Sequence, residues 1–217
     1  MSALTTSHLD IGSAAERAYD YTKDAIIRGE LAPSAMISEN LVCEALGVSR
    51  TPVHEAFLRL DVEGFLTLAS RKGAVVRPMS PQESLDVLEM REAVESSAAA
   101  RVIAEGRHGE LNTELERLLA VQSAALDADE LDRFVIADDD FHHAVVVASR
   151  NPVALQFSGI LHDRQQRLRH QLYRVAPAQI TAGLAQHRQL AAAVGAGDAA
   201  AYRAVLLEHV SLHKGAL

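Results

Sequence analysis

The chain has 217 residues, a formal net charge of −8, 48% hydrophobic residues and only 4% aromatic residues. This length allows two small domains or one larger domain, and the apolar share suffices for a packed core. The low aromatic content and the abundance of good helix formers favour helices over a β-sandwich. The acidic balance argues weakly against a nucleic-acid partner, although the charge of a whole chain can conceal a local basic patch.

The single cysteine, Cys43, can form no disulfide within the chain, which favours a reducing, cytoplasmic setting. The longest uncharged aliphatic run, residues 144–148, is far too short to span a bilayer. No basic segment followed by a long apolar run opens the chain. We therefore expect a soluble cytoplasmic protein with no membrane partner.

The first part of the chain predicts three short helices. A capping box at residues 13–16 opens the first helix. Ser38 can cap a second, short helix that ends at Gly47. A third helix follows at once, and either Ser49 or Thr51 can cap it. Two helices joined by so tight a turn are typical of a helix-turn-helix.

A β-hairpin follows the third helix. Residues 65–68 and 74–76 have strand composition, and Arg71-Lys72-Gly73 between them predicts a basic tip that contains glycine. Residues 50–77 carry five Lys or Arg against three Asp or Glu, so a DNA-binding patch is expected there. Three helices and a two-stranded wing predict a winged helix-turn-helix domain over residues 1–78.

The run from Gly47 to Ala56, GVSRTPVHEA, carries a family resemblance together with Leu60, Glu63-Gly64 and Gly73. Over about residues 15–77 the chain resembles the DNA-binding domain of the GntR family of bacterial regulators. The resemblance implies that a set of residues faces the major groove or its phosphates, or lets the wing approach the minor groove. These residues are Asn40, Ser49, Arg50, Thr51, His54 and Gly73.

Two positions depart from the family pattern. The family usually has Arg where this chain has His54, and commonly has Arg where this chain has Asn40. Either replacement removes a permanently charged contact to DNA. We therefore expect an altered operator preference or a lower affinity, with a shallower dependence on salt.

The sequence after Pro78 predicts helices only. Ser80, Pro81 and Glu83 form a capping pattern that opens a long helix. The apolar periodicity predicts helices near 80–105, 111–127, 130–149, 152–174, 178–194 and 198–214. Residues 79–217 are therefore expected to fold as an all-α bundle of six or seven helices, which makes the fold mainly α.

One carboxylate and three imidazoles could meet inside this bundle. Asp138 and His142 are four residues apart, so they share one helix face. His187 and His209 lie about 12 Å and about 16 Å from the turn at 195–198, at similar depth in a helical hairpin. Such a set suits a borderline divalent ion. The alternative is that each is a solvated polar residue or a hydrogen-bonded core histidine.

This second part is similar to the FCD ligand-binding domain, which defines the FadR-like branch of the GntR family. The similarity rests on residues 88–95, 138–142 and 151–152, on His187, on residues 197–198 and on His209. It implies that Asp138, His142, His187 and His209 bind a divalent transition metal. Zn is the first candidate, with Ni, Co or Mn as others.

Arg91 has two interpretations. With Glu95 four residues later it could form an ordinary ion pair on a helix surface. Its planar guanidinium could instead grip the carboxylate of a small acid bound at the metal. The FCD resemblance favours the second interpretation and makes Arg91 the candidate effector-binding residue.

The leading hypothesis is a homodimeric transcription regulator that binds a pseudo-palindromic double-stranded DNA operator. We expect it to repress a catabolic operon and to respond to an organic or sugar acid bound at the metal. One alternative is a regulator for which the metal itself is the signal. Another is a metal-dependent enzyme, but no Glu is positioned as a base in the manner of His-Glu-x-x-His, so no catalytic residue is assigned.

Overall fold

A computed structural model describes residues 12–69, 73–176 and 178–214. Within these ranges the chain is mainly helical, with nine helices and three short strands, and it divides into two compact units between Pro78 and Met79. The elements are α1 (Ala14–Ile27), β1 (Met36–Ile37), α2 (Glu39–Leu46), α3 (Arg50–Val62), β2 (Leu66–Ala69), β3 (Gly73–Val76), α4 (Pro81–Ala104), α5 (His108–Asp127), α6 (Leu131–Ala148), α7 (Pro152–Val175), α8 (Ala178–Gly195) and α9 (Ala199–Lys214). None of the helices in the described ranges has the length and apolar character to cross a membrane.

The first unit is a winged helix-turn-helix, and its helices begin and end where their caps predict. Ser13 and Glu16 form the capping box of α1, and Ser38 caps α2. α2 ends at Gly47, whose φ of 64° lies in the left-handed region that glycine adopts without a Cβ penalty. Ser49 occupies the N-cap position of α3, but its side chain makes no capping hydrogen bond.

The predicted two-stranded wing is present as β2 and β3, and a third strand, β1, adds to it. The strand order is β1-β3-β2, and both pairs are antiparallel. Met36 and Ile37 lie in the connector between α1 and α2, and they pair with Val75 and Ala74. An extended segment needs partners for its backbone groups, and the free edge of β3 supplies them. The predicted tip residues Arg71 and Lys72 lie outside the described residues.

Gly73 is required by the close approach of β3 to β1. Its φ is 101°, and a Cβ atom there would lie 2.2 Å from the carbonyl oxygen of Ile37. A backbone oxygen cannot move aside as a flexible side chain can. The glycine is therefore needed to seat the wing against the segment that leads into α2.

The second unit contains six helices, α4 to α9, within the described residues. Ser80 caps α4 through the amide of Glu83, Asn151 caps α7, and Asp198 accepts a hydrogen bond from the first turn of α9. α5 begins three residues before the predicted start, at His108. A glycine in a first turn is tolerated there because the amides of that turn lack intrahelical partners.

Helix α6 carries the polar centre of this unit. Phe134, Phe141 and Val145 are fully buried in the apolar core, and Asp138 and His142 on the same helix are equally buried. A charged or polar group removed from water is costly unless it finds a partner. The residues that surround α6 must therefore supply ion-pair and hydrogen-bond partners as well as apolar contacts.

We expect Gly73→Ala to destabilise the first unit by at least about 3 kcal/mol, because it combines a left-handed backbone with a clash against Ile37. Gly47→Ala is the matched control, since Gly47 has a φ of 64° but open space around its Cα. The control should cost only about 1 to 2 kcal/mol. Amide hydrogen exchange in α3 and β3 measures both values, and equal costs would contradict the role given to the β1 contact.

Candidate functional site

Three histidines from three helices converge in the second unit. His142 on α6, His187 on α8 and His209 on α9 each present one ring nitrogen, and these atoms all lie within 4.8 Å of one another. The Nε2 atoms of His142 and His187 are 3.1 Å apart, and those of His187 and His209 are 3.4 Å apart. All three side chains are buried. The turn between α8 and α9 thus brings two of them to the depth of the third.

The opposite nitrogen of each ring has its own hydrogen-bond acceptor. Nδ1 of His142 lies 2.7 Å from a carboxylate oxygen of Glu95, and Nδ1 of His187 lies 2.7 Å from the amide oxygen of Gln122. Nδ1 of His209 lies 2.9 Å from the amide oxygen of Gln186. Since these oxygens accept, each Nδ1 carries the proton and each Nε2 is left with a lone pair.

A second observation fixes the orientation of Gln122. Its amide nitrogen donates to the carbonyl of Ala137 at 3.1 Å, so its amide oxygen must face His187. Arg91 gives a similar argument for His209, because a guanidinium only donates and its Nη2 lies 3.2 Å from Nε2 of that ring. The inward nitrogens are therefore acceptors that face one another.

Burial keeps these imidazoles neutral. It lowers the pKa of His187 to about 4 and lowers the pKa of His142 well below its ordinary value. The neutral form is the one that binds metal ions. Both rings are thus ready to act as ligands at neutral pH without first losing a proton.

The donor set fits a divalent transition metal. Two neutral acceptors at 3.1 Å repel each other unless a cation lies between them. Ligand nitrogens at the usual zinc distance and tetrahedral angle are about 3.3 Å apart, close to the 3.1 Å and 3.4 Å separations found here. A hydrogen-bonded Nδ1 behind each ligand is also the usual arrangement around metal-binding histidines.

Asp138 lies beside the three-histidine group. Its Oδ2 is 3.5 Å from Nε2 of His187 and accepts a hydrogen bond from the Tyr173 hydroxyl at 3.1 Å. Its Oδ1 forms a buried ion pair with Arg169. Burial raises the pKa of Asp138, but Arg169, the neighbouring histidines and Arg91 together outweigh this and hold that pKa below its ordinary value. A carboxylate is therefore available next to the rings, and it shares Arg169 with Asp139.

Arg91 is buried, so the interpretation of an exposed surface pair was wrong. Its Nε donates to Glu95 at 2.8 Å, and both side chains are almost completely removed from solvent. Glu95 uses its other oxygen for His142. Arg91 and Glu95 thus form a buried ion pair that contacts two of the three rings, those of His209 and His142.

The space in front of this ion pair is small. A cavity of about 10 Å³ is lined by Arg91, Glu95 and His142 together with Ser158 and Gln165 of α7. One water needs roughly 10–15 Å³ measured in this way. The described arrangement therefore has no room there for an organic acid, and a ligand larger than water would need α7 or its side chains to move.

The first unit has a groove of about 610 Å³ between α3 and the wing. Arg50, Thr51, His54 and Gly73, four of the predicted DNA-binding residues, line it. The two others, Asn40 and Ser49, are exposed but do not line the groove. The structure thus brings most of the predicted set to one surface.

Glu39 also lines the groove, although no sequence pattern singled it out. Its carboxylate accepts from Arg50 at 2.5 Å and pairs with Nδ1 of His54 at 2.7 Å. Burial raises the pKa of Glu39, but these two hydrogen bonds outweigh it and lower that pKa overall. The carboxylate therefore holds two groove side chains in place and offsets their charge.

Sequence reasoning missed several residues at the histidine cluster. Gln122 gave a readable signal, since it occupies a core-facing position on α5 between Leu119 and Ala125, where a polar residue needs a partner. Gln186 and Arg169 gave no such signal. They meet the cluster only because α7 and α8 pack against α6 and α9.

The sequence matches two protein families. Residues 14–76 match the bacterial regulatory proteins of the gntR family, and residues 86–212 match the FCD domain. The second match alone covers more than half of the chain. Each match lies within one of the two compact units.

Curated relatives cover most of the chain. The transcriptional repressor GlaR of Escherichia coli K12 is 29% identical over 88% of this chain and 90% of its own length. A regulator from an unstable DNA locus of Streptomyces ambofaciens is 32% identical over 87% of this chain and 78% of its own length. A putative L-lactate dehydrogenase operon regulatory protein of E. coli K12 is 31% identical over 80% of this chain and 74% of its own length.

Solved structures share the fold. E. coli McbR, also named YncC, superposes with a TM-score of 0.76 at 25% identity and covers 93% of this chain and 95% of its own. A putative GntR regulator from Rhodococcus sp. RHA1 gives a TM-score of 0.74 at 20% identity, and the match covers 94% of this chain and 97% of that protein. The second likeness concerns the fold alone.

We expect Gln122→Leu to lower the free energy of unfolding of the second unit by about 1 to 3 kcal/mol, because Nδ1 of buried His187 loses its acceptor. The matched control is Gln189→Leu, the same change at an exposed position of α8, which should stay within about 0.5 kcal/mol. Urea unfolding followed by circular dichroism measures both. Indistinguishable values would show that the Gln122 bond does not hold the ring.

Proposed function

The chain belongs to the GntR family of bacterial regulatory proteins and carries an FCD domain, and on this premise we propose a ligand-controlled repressor. It is a DNA-binding transcriptional regulator, as are the relatives named above, and it is not an enzyme. The proposed repressor acts in the cytoplasm on an operator of a catabolic operon. Its operator affinity changes when a small carboxylate binds at a metal in the FCD domain.

The observation that carries this proposal is the set of three inward Nε2 lone pairs. The inward Nε2 atoms are 3.1 Å and 3.4 Å apart, and they cannot hydrogen-bond to each other because each has a lone pair and no hydrogen. We assign His142, His187 and His209 as ligands, with Asp138 as the anionic ligand beside them. Zn is the first candidate, with Ni, Co or Mn as others.

A bound divalent ion would supply coordination positions for carboxylate oxygens. The protein's own contribution to effector binding would come from Arg91, whose planar guanidinium suits a carboxylate. Ser158 and Gln165 line the same small cavity and could donate to further oxygens of the acid. Because the cavity holds no more than a water, acid binding requires α7 to shift.

A shift of α7 is a means of regulation only if it favours one DNA-binding arrangement. The effector must bind the competent and incompetent arrangements with different affinities, and the difference sets the response. We propose a homodimer whose two winged units contact the half-sites of a pseudo-palindromic operator. In each unit Arg50, Thr51 and His54 would face the major groove, and Gly73 would bring the wing to the minor groove.

The names of the relatives support the repressor and the carboxylate. GlaR and RspR of E. coli K12 are both named transcriptional repressors. Another relative is named for an L-lactate dehydrogenase operon, and lactate is a small carboxylate. These names give the proposal a class of effector to test first, namely short hydroxy acids.

One observation favours a second candidate, in which the metal itself is the signal. The cavity beside the cluster is too small for an acid, whereas the ring nitrogens already lie at separations that suit an ion. Under this alternative, removing the metal changes operator affinity and adding acids has no effect. Under the leading proposal, acids change operator affinity of the metal-loaded protein.

Gel retardation with DNA from upstream of the gene and of its neighbours tests the DNA-binding part. A specific complex at low salt is expected, and its affinity should change with short hydroxy acids. If no specific complex forms with metal-loaded or metal-free protein, with or without acids, the proposed function is wrong. The same experiment with a chelator separates the metal-sensing alternative.

We expect Arg50→Ala to weaken operator binding and to reduce the salt slope by about one, as for the loss of one phosphate contact. Arg17→Ala removes the same charge from an exposed position of α1 that does not line the groove, and it should leave the slope almost unchanged. Fluorescence anisotropy at several salt concentrations measures both. Equal slopes for the two variants would place the DNA on another surface.

We expect His142→Ala to lose the bound metal and the response to acids while the first unit still binds DNA. The neighbouring His143 is exposed and does not belong to the three-histidine group, so His143→Ala should retain the bound metal. His143 also lines the small cavity beside Arg91, so this variant is the control for metal content alone. Metal content after dialysis and thermal shifts with acids measure the difference. Retention of metal and response by His142→Ala would overturn the ligand assignment.

A further inference from the structure

Arg91 and a metal ion would need the same lone pair. In the described arrangement Nη2 of Arg91 lies 3.2 Å from Nε2 of His209. The guanidinium has no acceptor, so it donates and the ring nitrogen accepts. Nδ1 of the same ring is already engaged with Gln186 at 2.9 Å. The only remaining lone pair of His209 is therefore occupied by Arg91.

An imidazole nitrogen has a single lone pair in the plane of its ring. A donor hydrogen and a metal ion cannot both use it, so the two occupants exclude each other. The positive charge of the guanidinium also opposes metal binding. A metal ion bound at His209 would lie within a few ångströms of this charge, and two cations that close in a buried site repel strongly. Arg91 is also buried to about the same extent as the rings, so water screens little of that repulsion.

Glu95 allows Arg91 to leave His209 without losing its countercharge. The carboxylate holds Nε of Arg91 at 2.8 Å, a contact that does not involve the Nη2 atom. Rotation about the side-chain torsions can therefore swing the planar guanidinium away from His209 while it still pairs with Glu95. The neighbouring space is the small cavity lined by Ser158 and Gln165, where an acid would lie under the proposed function.

We propose that Arg91 is an internal competitor of the metal at His209, and that a carboxylate anion draws it away. The proposal rests on the proposed function, since it requires a metal at the three histidines. Metal and acid then bind cooperatively, because each favours the position of Arg91 that the other needs. By linkage the acid tightens metal binding by the same factor by which the metal tightens acid binding.

The test measures metal affinity without any acid. Zn²⁺ is titrated into metal-free protein against a chromophoric chelator, and Co²⁺ is titrated while its visible absorption is recorded. Arg91→Lys keeps the charge and the ion pair with Glu95, but its single ammonium cannot reach Glu95 and His209 as the guanidinium does. We expect it to bind Zn²⁺ about tenfold more tightly than the wild type, within the usual range of coupling between sites.

A second variant separates competition from net charge. Arg91→Gln combined with Glu95→Gln removes the ion pair as a whole, so the net charge of the site is unchanged, and the amide of residue 95 can still accept from His142. Loss of the carboxylate behind His142 itself weakens metal binding, so Glu95→Gln alone is the reference, and the double variant should bind Zn²⁺ more tightly than this reference. Thermal unfolding of the metal-free variants identifies any variant that does not fold. For the wild type alone, ¹⁵N spectra of labelled histidine should show Nε2 of His209 as a hydrogen-bond acceptor that loses this bond when Zn²⁺ is added.

The outcomes separate the two proposals. If the wild type binds Zn²⁺ and folded Arg91→Lys binds it equally or more weakly, the competition by Arg91 is wrong and the metal site stands. The same holds if the double variant binds Zn²⁺ no more tightly than Glu95→Gln alone. The same conclusion follows if Nε2 of His209 in the metal-free wild type is not a hydrogen-bond acceptor. If neither the wild type nor the variants bind Zn²⁺ or Co²⁺, the metal site of the proposed function is wrong as well.

Discussion

The hydrogen-bond requirements of three buried imidazoles organise the second unit. A neutral histidine has one donor and one acceptor, and neither can be left unsatisfied in an apolar core without a cost of about 1 to 3 kcal/mol. Glu95, Gln122 and Gln186 satisfy the three donors. The acceptors are thereby forced inward, where a metal ion would satisfy them together under the proposed function. The polar interior of this helical bundle follows from that single constraint.

The same constraint explains why the ion pairs around the cluster are buried. Arg91 with Glu95 and Arg169 with Asp138 are four charged side chains in a core of leucine, valine and phenylalanine. Buried pairs of this kind contribute little to stability, because desolvation offsets most of their attraction. Their value is positional, since they hold a carboxylate and a guanidinium next to the ring nitrogens. A site for an anion and a cation together needs both kinds of group.

The first unit uses a charged contact differently. Glu39 engages Arg50 and His54 at the surface that faces the wing, so these two side chains expected to contact DNA already have a partner. DNA phosphates would have to compete with a nearby carboxylate for these side chains. This lowers the net gain from each contact but fixes the side chains in place. His54 and Asn40, where the family has Arg, reduce the positive charge of this surface further.

The sequence by itself determined the order of the helices, most of their caps and the spacing of the candidate ligands on α6. Local signals suffice for these, because caps such as Ser13 and Ser38, the turn at Gly197 and Asp198, and the four-residue spacing of Asp138 and His142 depend on neighbours in the chain. Only the tertiary structure decided which nitrogen of each ring points inward, that Arg91 is buried against His209, and that the connector adds a third strand to the wing. These features depend on residues tens of positions apart that meet through helix packing and strand pairing, and no local pattern encodes such a meeting.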